Sequence, residues 1–258
     1  MSEIKPAGRA YRGEHVQLDL PVLDAGATAT VTIPDGIEAA LVLLSGDMEI
    51  CGRHAQRADV FDAPATAAYL PPGSSVEITA HAPTELALAA TVGGELHAAA
   101  RATPQIVDPH DVVVHERGRP GWQRAVHDII DGRVPAQRLL VGETFNAAGQ
   151  WSSFPPHKHD GGDGEPALEE VYYYRFDPPD GFGFQGLYET DGPENAEQER
   201  AVFLRHGAVV GIPRGYHPVC GAPGYRLYYL WALSAGGNTP RALALYEDPA
   251  YRWLHDRG

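Results

Sequence analysis

Trp151-Ser-Ser-Phe-Pro-Pro-His157-Lys-His159-Asp160-Gly-Gly-Asp-Gly-Glu-Pro-Ala167-Leu-Glu169-Glu170-Val-Tyr172-Tyr-Tyr174-Arg175-Phe176 reads as two short strands around a turn-rich hairpin loop. The Gly- and Pro-bearing run 160–167 reverses the chain, and the aromatic run 170–176 suits a pleated strand. Alternate side chains of a strand share a face, so His157 and His159 project together while Lys158 points away. A carboxylate at the head of the return strand, Glu169 or Glu170, can face the two imidazoles across the hairpin. Outward from this hairpin the same texture continues. Runs 138–145, 151–154, 183–188, 201–204, 209–212 and 226–232 are strand-like, as are 16–23, 28–33, 39–44, 48–50, 68–70 and 75–80 in the first hundred residues. PDG, SGD, CGR and PPGSS punctuate the earlier set. Such spacing predicts an all-β sandwich or barrel. Helical periodicity is scarce, and EDPAYRWLHD near the C-terminus is the best short helix.

Composition agrees and sets limits. The 258 residues include 29 glycines and 22 prolines, about a fifth of the chain against a usual roughly 12%. They fall singly between apolar runs, which argues against a helical bundle. Hydrophobic residues at 43% exclude a disordered chain. With 20 Lys+Arg against 34 Asp+Glu the net charge is −14, which repels nucleic acid and anionic membranes, so neither is an expected partner. The N-terminal MSEIKPAGRAYRGEH lacks the apolar stretch of a secretory signal, and no window approaches the ~18 apolar residues of a membrane span. Two cysteines, Cys51 and Cys220, cannot build a disulfide framework. As free thiols they make the cytoplasm the expected location. Twelve histidines outnumber them, so a bound metal would be held by imidazole and carboxylate rather than thiolate.

The pattern changes at RATPQIVDPHDVVVHERGRPGW, residues 101–122, a Pro- and charge-bearing connector that places a domain boundary near residue 108. The two halves echo each other: Tyr69-Leu-Pro-Pro-Gly-Ser-Ser75 and Gly211-Ile-Pro-Arg-Gly-Tyr-His217 are each a strand stopped by a P-x-G turn. A common turn type also produces so short a match, so duplication is one reading and coincidence the other. In that register Ser75 stands where His217 does, so a first copy would lack the chemistry of the second. His217 adds a third imidazole to His157 and His159. Three neutral nitrogens and one carboxylate suit a borderline divalent ion with open positions for substrate. An H-x-H alone is weak evidence; the downstream Glu and the P-x-G-x-H turn give it weight. His15, His54, His81, His97, His110, His115, His127, His206 and His255 are scattered singly and read as surface or satisfied core groups.

H-x-H, a downstream Glu and Gly-x5-Pro-x-Gly-x-His from Gly207 to His217 resemble the two metal-binding motifs of the cupin superfamily. In full, WSSFPPHKHD, LEEVYYYRFDPPDGFGFQ and GIPRGYHPVCGAPGYRLYYLW resemble the 5-deoxy-glucuronate isomerases of bacterial myo-inositol breakdown, and LVLLSG and YLPPGSSVEI extend the likeness into the first half. The resemblance implies a bicupin, two tandem jelly-roll barrels: residues 1–107 without metal ligands and 108–258 with them. It implies an aldose–ketose isomerase acting on a small uronic acid, with a divalent Zn, Mn or Fe ion held by His157, His159, Glu170 and His217. Glu170 is preferred to Glu169 because the family-like EVYYY begins there, and alternation then turns Tyr172 and Tyr174 inward with it. Tyr172, Tyr174, Gln185 and Tyr229 are candidates for handling substrate oxygens or the transferred proton. Arg214, beside His217, and Arg175 are the candidates for the substrate carboxylate, although alternation points Arg175 out of the barrel toward an interface. Cys220 has no adjacent base and is read as a small apolar residue. The short glycine-rich loop after His159 and ALSAGGNTPRA after Trp231 depart from the expected pattern and bear on the pocket rim. A barrel edge often pairs with a second copy, so a homo-oligomer is compatible with the sequence. The rival readings are a ketouronate isomerase of pectin-type pathways, a cupin dioxygenase and a sugar-binding bicupin without turnover.

Overall fold

The computed structural model describes residues 2–3, 9–93, 96, 103–162, 164–189, 199–236 and 239–256. His97, Asp163 of the hairpin loop, the first two residues of the 101–122 connector and Gly237-Asn238 of the departing segment lie outside them. Between Ser2 and Val107, eleven strands form one hydrogen-bonded network. Its spine is Ala39–Ile50, twelve residues long. This strand pairs antiparallel with Thr84–Thr91 and Ala67–Leu70, and toward its end with Arg53–Arg57 and Ser75–Ala80. The predicted break at Ser45-Gly-Asp47 is absent: the strand passes through it without reversing. Gly46 takes φ +118, and a Cβ there would lie 2.6 Å from the Thr84 Cα, so the glycine admits close approach of a neighbouring strand rather than a turn. Thr84–Thr91 escapes the sequence reading because TELALAAT favours helix by intrinsic preference, and burial against its neighbours overrides it.

From Val113 onward the chain builds a second sandwich. One sheet runs Val113–Arg117, Arg124–Ile130, Leu139–Asn146, Arg226–Ala235, Leu168–Asp177 and Val209–Ile212, every neighbour antiparallel. Its first two strands, with Gln105–Val107 in the preceding network, replace much of the supposed connector with a strand and a hairpin. A four-stranded sheet, Trp151–Ser152, Val219–Gly221, Phe182–Leu187 and Arg200–Arg205, completes the sandwich. Tyr174, Phe176, Leu204, Val219 and Leu227 share its core. The predicted C-terminal helix is a 3-10 helix, Pro249–Asp256.

Leu168–Asp177 decides how the halves meet. Nine of its ten residues are buried, because both of its faces are covered. Tyr172, Tyr174 and Phe176 face their own sandwich, whereas Val171 and Tyr173 join Val16, Leu18, Val42 and Leu44 of the first half in a shared core. Buried carboxylates cross the same boundary in both directions. Glu38 accepts hydrogen bonds from the amides of Gln137, Arg138 and Leu139 and from the Tyr69 hydroxyl. Glu143 pairs with Arg57, Oε1 to Nη1 at 2.7 Å and Oε2 to Nη2 at 3.1 Å, with both side chains fully buried. Glu169 accepts from the Tyr11 hydroxyl and the amides of His15 and Val16.

Candidate metal centre

His157 opens a two-residue strand, His157–Lys158, paired with Tyr246–Glu247, and His159 follows it directly. The hairpin loop closes behind them through an Asp160–Ala167 bridge and a Leu168 amide to His159 carbonyl hydrogen bond of 2.9 Å. That closure brings the head of Leu168–Asp177 back across the histidines, as the alternation predicts. His217 enters from the turn after Val209–Ile212, where Gly215 takes φ +91 and its amide donates to Asp160 Oδ1 at 2.9 Å. Each of the three imidazoles offers a nitrogen within 4.8 Å of the other two. Glu170 Oε2 lies 3.3 Å from His217 Nε2 and 3.8 Å from His159 Nε2.

The outer nitrogens are already engaged. His159 Nδ1 meets the Ala244 carbonyl at 3.2 Å and His217 Nδ1 meets that of Gly215 at 2.9 Å. Such contacts fix ring orientation and leave Nε2 facing inward. Burial, reinforced by the neighbouring rings, drives His157 well below the usual imidazole value and His217 down to about 3; burial also lowers His159. Burial pushes Glu170 well above the carboxylate range. Three neutral imidazoles beside a carboxyl short of positive charge form a donor set that a divalent cation would complete. Glu170 Oε2 and His217 Nε2 are both buried without a hydrogen-bond partner. Buried polar atoms are rarely left so unless an ion or water takes them. The residues present therefore fit the group.

A cavity of about 500 Å³ opens in front of the cluster. His157, His159, Glu170, Tyr172 and Tyr229 line it, and His217 is sealed behind them. Ser153 and Ser152 hold the hydroxyls of Tyr172 and Tyr229 at 3.1 and 2.6 Å. Burial raises the Tyr172 hydroxyl well above its ordinary value, opposite to the lowering an acid–base tyrosine requires, which suits it to donate hydrogen bonds. Tyr174 and Gln185 are not at the cavity. The Tyr174 hydroxyl donates to Gln185 Oε1 at 2.7 Å, and Gln185 Nε2 donates to the His217 carbonyl at 3.3 Å, a prop behind the histidine cluster.

Neither arginine singled out in the sequence reaches the cavity. Arg175 lies on the opposite face of its strand, buried against the first half, with Nη2 2.6 Å from Glu85 Oε2 and Nε donating to the Tyr173 hydroxyl. Arg214 is exposed and paired with Glu189 at 3.0 Å. Of the two adjacent glutamates, Glu170 lies beside the histidines, whereas Glu169 is taken up by the first half. The same cavity is lined by residues the sequence reading passed over: His115 with its partner Asp128 at 3.0 Å, Arg117, Arg124, and, from the C-terminal segment, Glu247 with His255 at 2.7 Å. Their signal was there. HER and RAVHD alternate polar side chains on either side of a Gly-Arg-Pro-Gly turn, which is a hairpin pattern.

The sequence profile of the KduI/IolB family matches residues 3–254. The chain belongs to the KduI/IolB family. Family relatives include the 5-deoxy-glucuronate isomerase of Geobacillus thermodenitrificans, 34% identical over 250 residues that cover 93% of this chain and 86% of that protein. The protein of the same name from Shouchella clausii is 33% identical over 254 residues, 95% of this chain and 89% of that one. The crystal structure of an IolB-like protein from Salmonella typhimurium superposes with a TM-score of 0.81 and 31% identity, covering 94% and 90% of the two chains. Oxalate decarboxylase from Lactobacillus farciminis, at TM-score 0.62 and 14% identity over 95% and 82%, shares the fold alone. Among the described residues no helix is long and apolar enough to cross a membrane.

Proposed function

We propose that the chain isomerises 5-deoxy-D-glucuronate to 5-dehydro-2-deoxy-D-gluconate, an aldose–ketose conversion within myo-inositol breakdown. Full-length relatives bearing the name 5-deoxy-glucuronate isomerase support this reading. The observation in the molecule that carries it is the triad of neutral imidazoles with Glu170, facing a cavity large enough for a sugar acid. No redox cofactor is needed, because one carbon is oxidised as its neighbour is reduced. His157, His159, Glu170 and His217 would hold a divalent zinc, manganese or iron ion, which would polarise the carbonyl and stabilise negative charge developing on oxygen.

The remaining work falls to the chain. Tyr172 and Tyr229, held by Ser153 and Ser152, present hydroxyls to the substrate oxygens. A proton leaving C2 and returning at C1 needs an ionisable group at the cavity, and His115–Asp128 and His255–Glu247 are two pairs of that kind. Gln185 steadies His217 from behind. The same reading divides the chain into residues 1–107, which contribute scaffold, and 108–258, which contribute the ligands. It also places the chain in the cytoplasm, where the free thiols Cys51 and Cys220 are at home.

The test is elemental analysis of purified protein joined to an NMR assay with 5-deoxy-glucuronate. Bound metal and ketose product are expected, with both lost in His217→Ala. Full turnover by metal-stripped protein would overturn the metal's role. Turnover that depends on molecular oxygen would replace the isomerase with a dioxygenase, and turnover of ketouronates alone would move the chain to the pectin-type branch.

A further inference from the structure

Arg117 and Arg124 stand directly opposite each other across the hairpin of Val113–Arg117 and Arg124–Ile130. Like charges in that register repel, so such a pair persists most readily where something anionic comes between them. Neither has a carboxylate within ion-pair distance among the described residues. Arg124 Nη1 is held by the carbonyls of Trp122 and Phe154, at 3.4 and 3.2 Å, which leaves the rest of its guanidinium uncommitted. Both arginines line the cavity that His157, His159 and Glu170 line. In a chain of net charge −14, these two cations sit side by side without an acidic partner, whereas Arg57, Arg133, Arg175, Arg214 and Arg226 are each paired with a carboxylate. Arg119, in the turn between them, is committed to the carbonyls of Leu254 and His255.

We infer that Arg117 and Arg124 form the carboxylate-binding end of the cavity, gripping the acid group of a uronic aldehyde whose reacting oxygens face the histidine cluster. The anion's identity rests on the isomerase reading above; its charge rests on the cation pair. A guanidinium fork matches a carboxylate bidentately, and two forks on adjacent strands can share its two oxygens. The anchor would fix which end of the open-chain sugar points at the metal ligands. It would also supply the local attraction that the acidic molecule as a whole denies to its substrate.

The test compares wild type with R117M, R124M and R124K. Each is assayed for turnover of 5-deoxy-glucuronate and of its neutral counterpart, with a hydroxymethyl group in place of the carboxylate. Each is also titrated calorimetrically with D-gluconate and with uncharged D-glucitol. Loss of a charge-assisted contact predicts a fall of about ten- to a hundredfold in kcat/KM and affinity for the acids in R117M and R124M. The neutral compounds and the metal content should be unchanged, and R124K should recover part of the loss. The inference is overturned if both Met variants keep the wild-type preference for acid over neutral compound, or if acid and neutral compounds fall together. A wild type that turns over neither sugar, yet binds gluconate over glucitol in an arginine-dependent way, would sink the isomerase reading and leave the anion site standing.

Discussion

Replacing Glu143 with Gln tests whether the buried ion pair holds the two halves together. Burial alone would lower the Arg57 pKa, and Glu143 more than offsets it, so the guanidinium stays charged with its side chain at 0% exposure. In Glu143→Gln the same charge remains in the same dry place without a counter-charge, and the Tyr228 hydroxyl, 2.7 Å from Oε1, loses an anionic acceptor. Arg57 cannot swing out, because its other donors are committed to the carbonyls of Leu43, Val60 and Ala63. Breaking a buried pair on one side costs about 3–5 kcal/mol, a large share of the roughly 5–15 kcal/mol that keeps a domain folded. For a chain of this size that corresponds to a fall in Tm on the order of 10 °C. Denaturant unfolding followed by tryptophan fluorescence and far-ultraviolet circular dichroism measures it. Asp131→Asn, at the partly exposed Arg133 pair, is the control and should cost under about 1 kcal/mol. A loss in Glu143→Gln no larger than the control's would refute the reasoning. So would two separated transitions in the wild type, since the pair could not then couple the halves.

Further outcomes follow from the site and its supports. Burial holds the Glu170 carboxyl well above the usual carboxylate range in metal-free protein; a cation favours the ionised form, so binding should release a proton and affinity should rise with pH through that raised range. Calorimetry in buffers of different ionisation enthalpy reads the proton, and Glu170→Gln should abolish its release; release undiminished in that variant would assign it elsewhere. The three histidines carry the opposite sign: their folded pKa values lie below the unfolded one, so metal-free protein should lose stability as pH falls below ~6.5, and an acid titration of Tm should show less loss in His217→Ala. Gly142→Ala places a Cβ 2.4 Å from the His127 carbonyl and 2.1 Å from the Trp231 ring, an overpacking that should cost about 1–3 kcal/mol. Unchanged stability in that variant would show that the sheet yields there.

How much of this could be read from the sequence depended on the range of the physics involved. The grouping of the three histidines with Glu170 was legible because its logic is local: alternation aligns His157 with His159, a turn-rich loop returns Glu170 to them, and P-x-G sets His217 just after a bend. Glu169 was ambiguous beside Glu170 because its partners, Tyr11 and the amides of His15 and Val16, are some 150 residues away in the chain. The arginines were misplaced for a related reason. Arg214 is next to a ligand in sequence but turns outward, whereas Arg124 reaches the cavity only because the 124–130 strand pairs with 139–146 and carries it there. Alternation did place Arg175 away from the barrel interior. The strand at Thr84–Thr91 was hidden by its composition, and Gly46 looked like a turn because a glycine allowing close approach and one allowing a reversal are the same letter.

The crossing carboxylates bear on what would count as a minimal enzyme. A gene fragment encoding only the ligand-bearing half would expose Glu143 and Glu169 without Arg57 and Tyr11, and would leave three amides at residues 137–139 without Glu38. Random mutagenesis scored by turnover of 5-deoxy-glucuronate would then return inactivating changes at Glu38, Arg57 and Tyr11, in the half that holds none of the proposed metal ligands. A map of such lesions would mark the seam between the halves as sharply as the pocket itself.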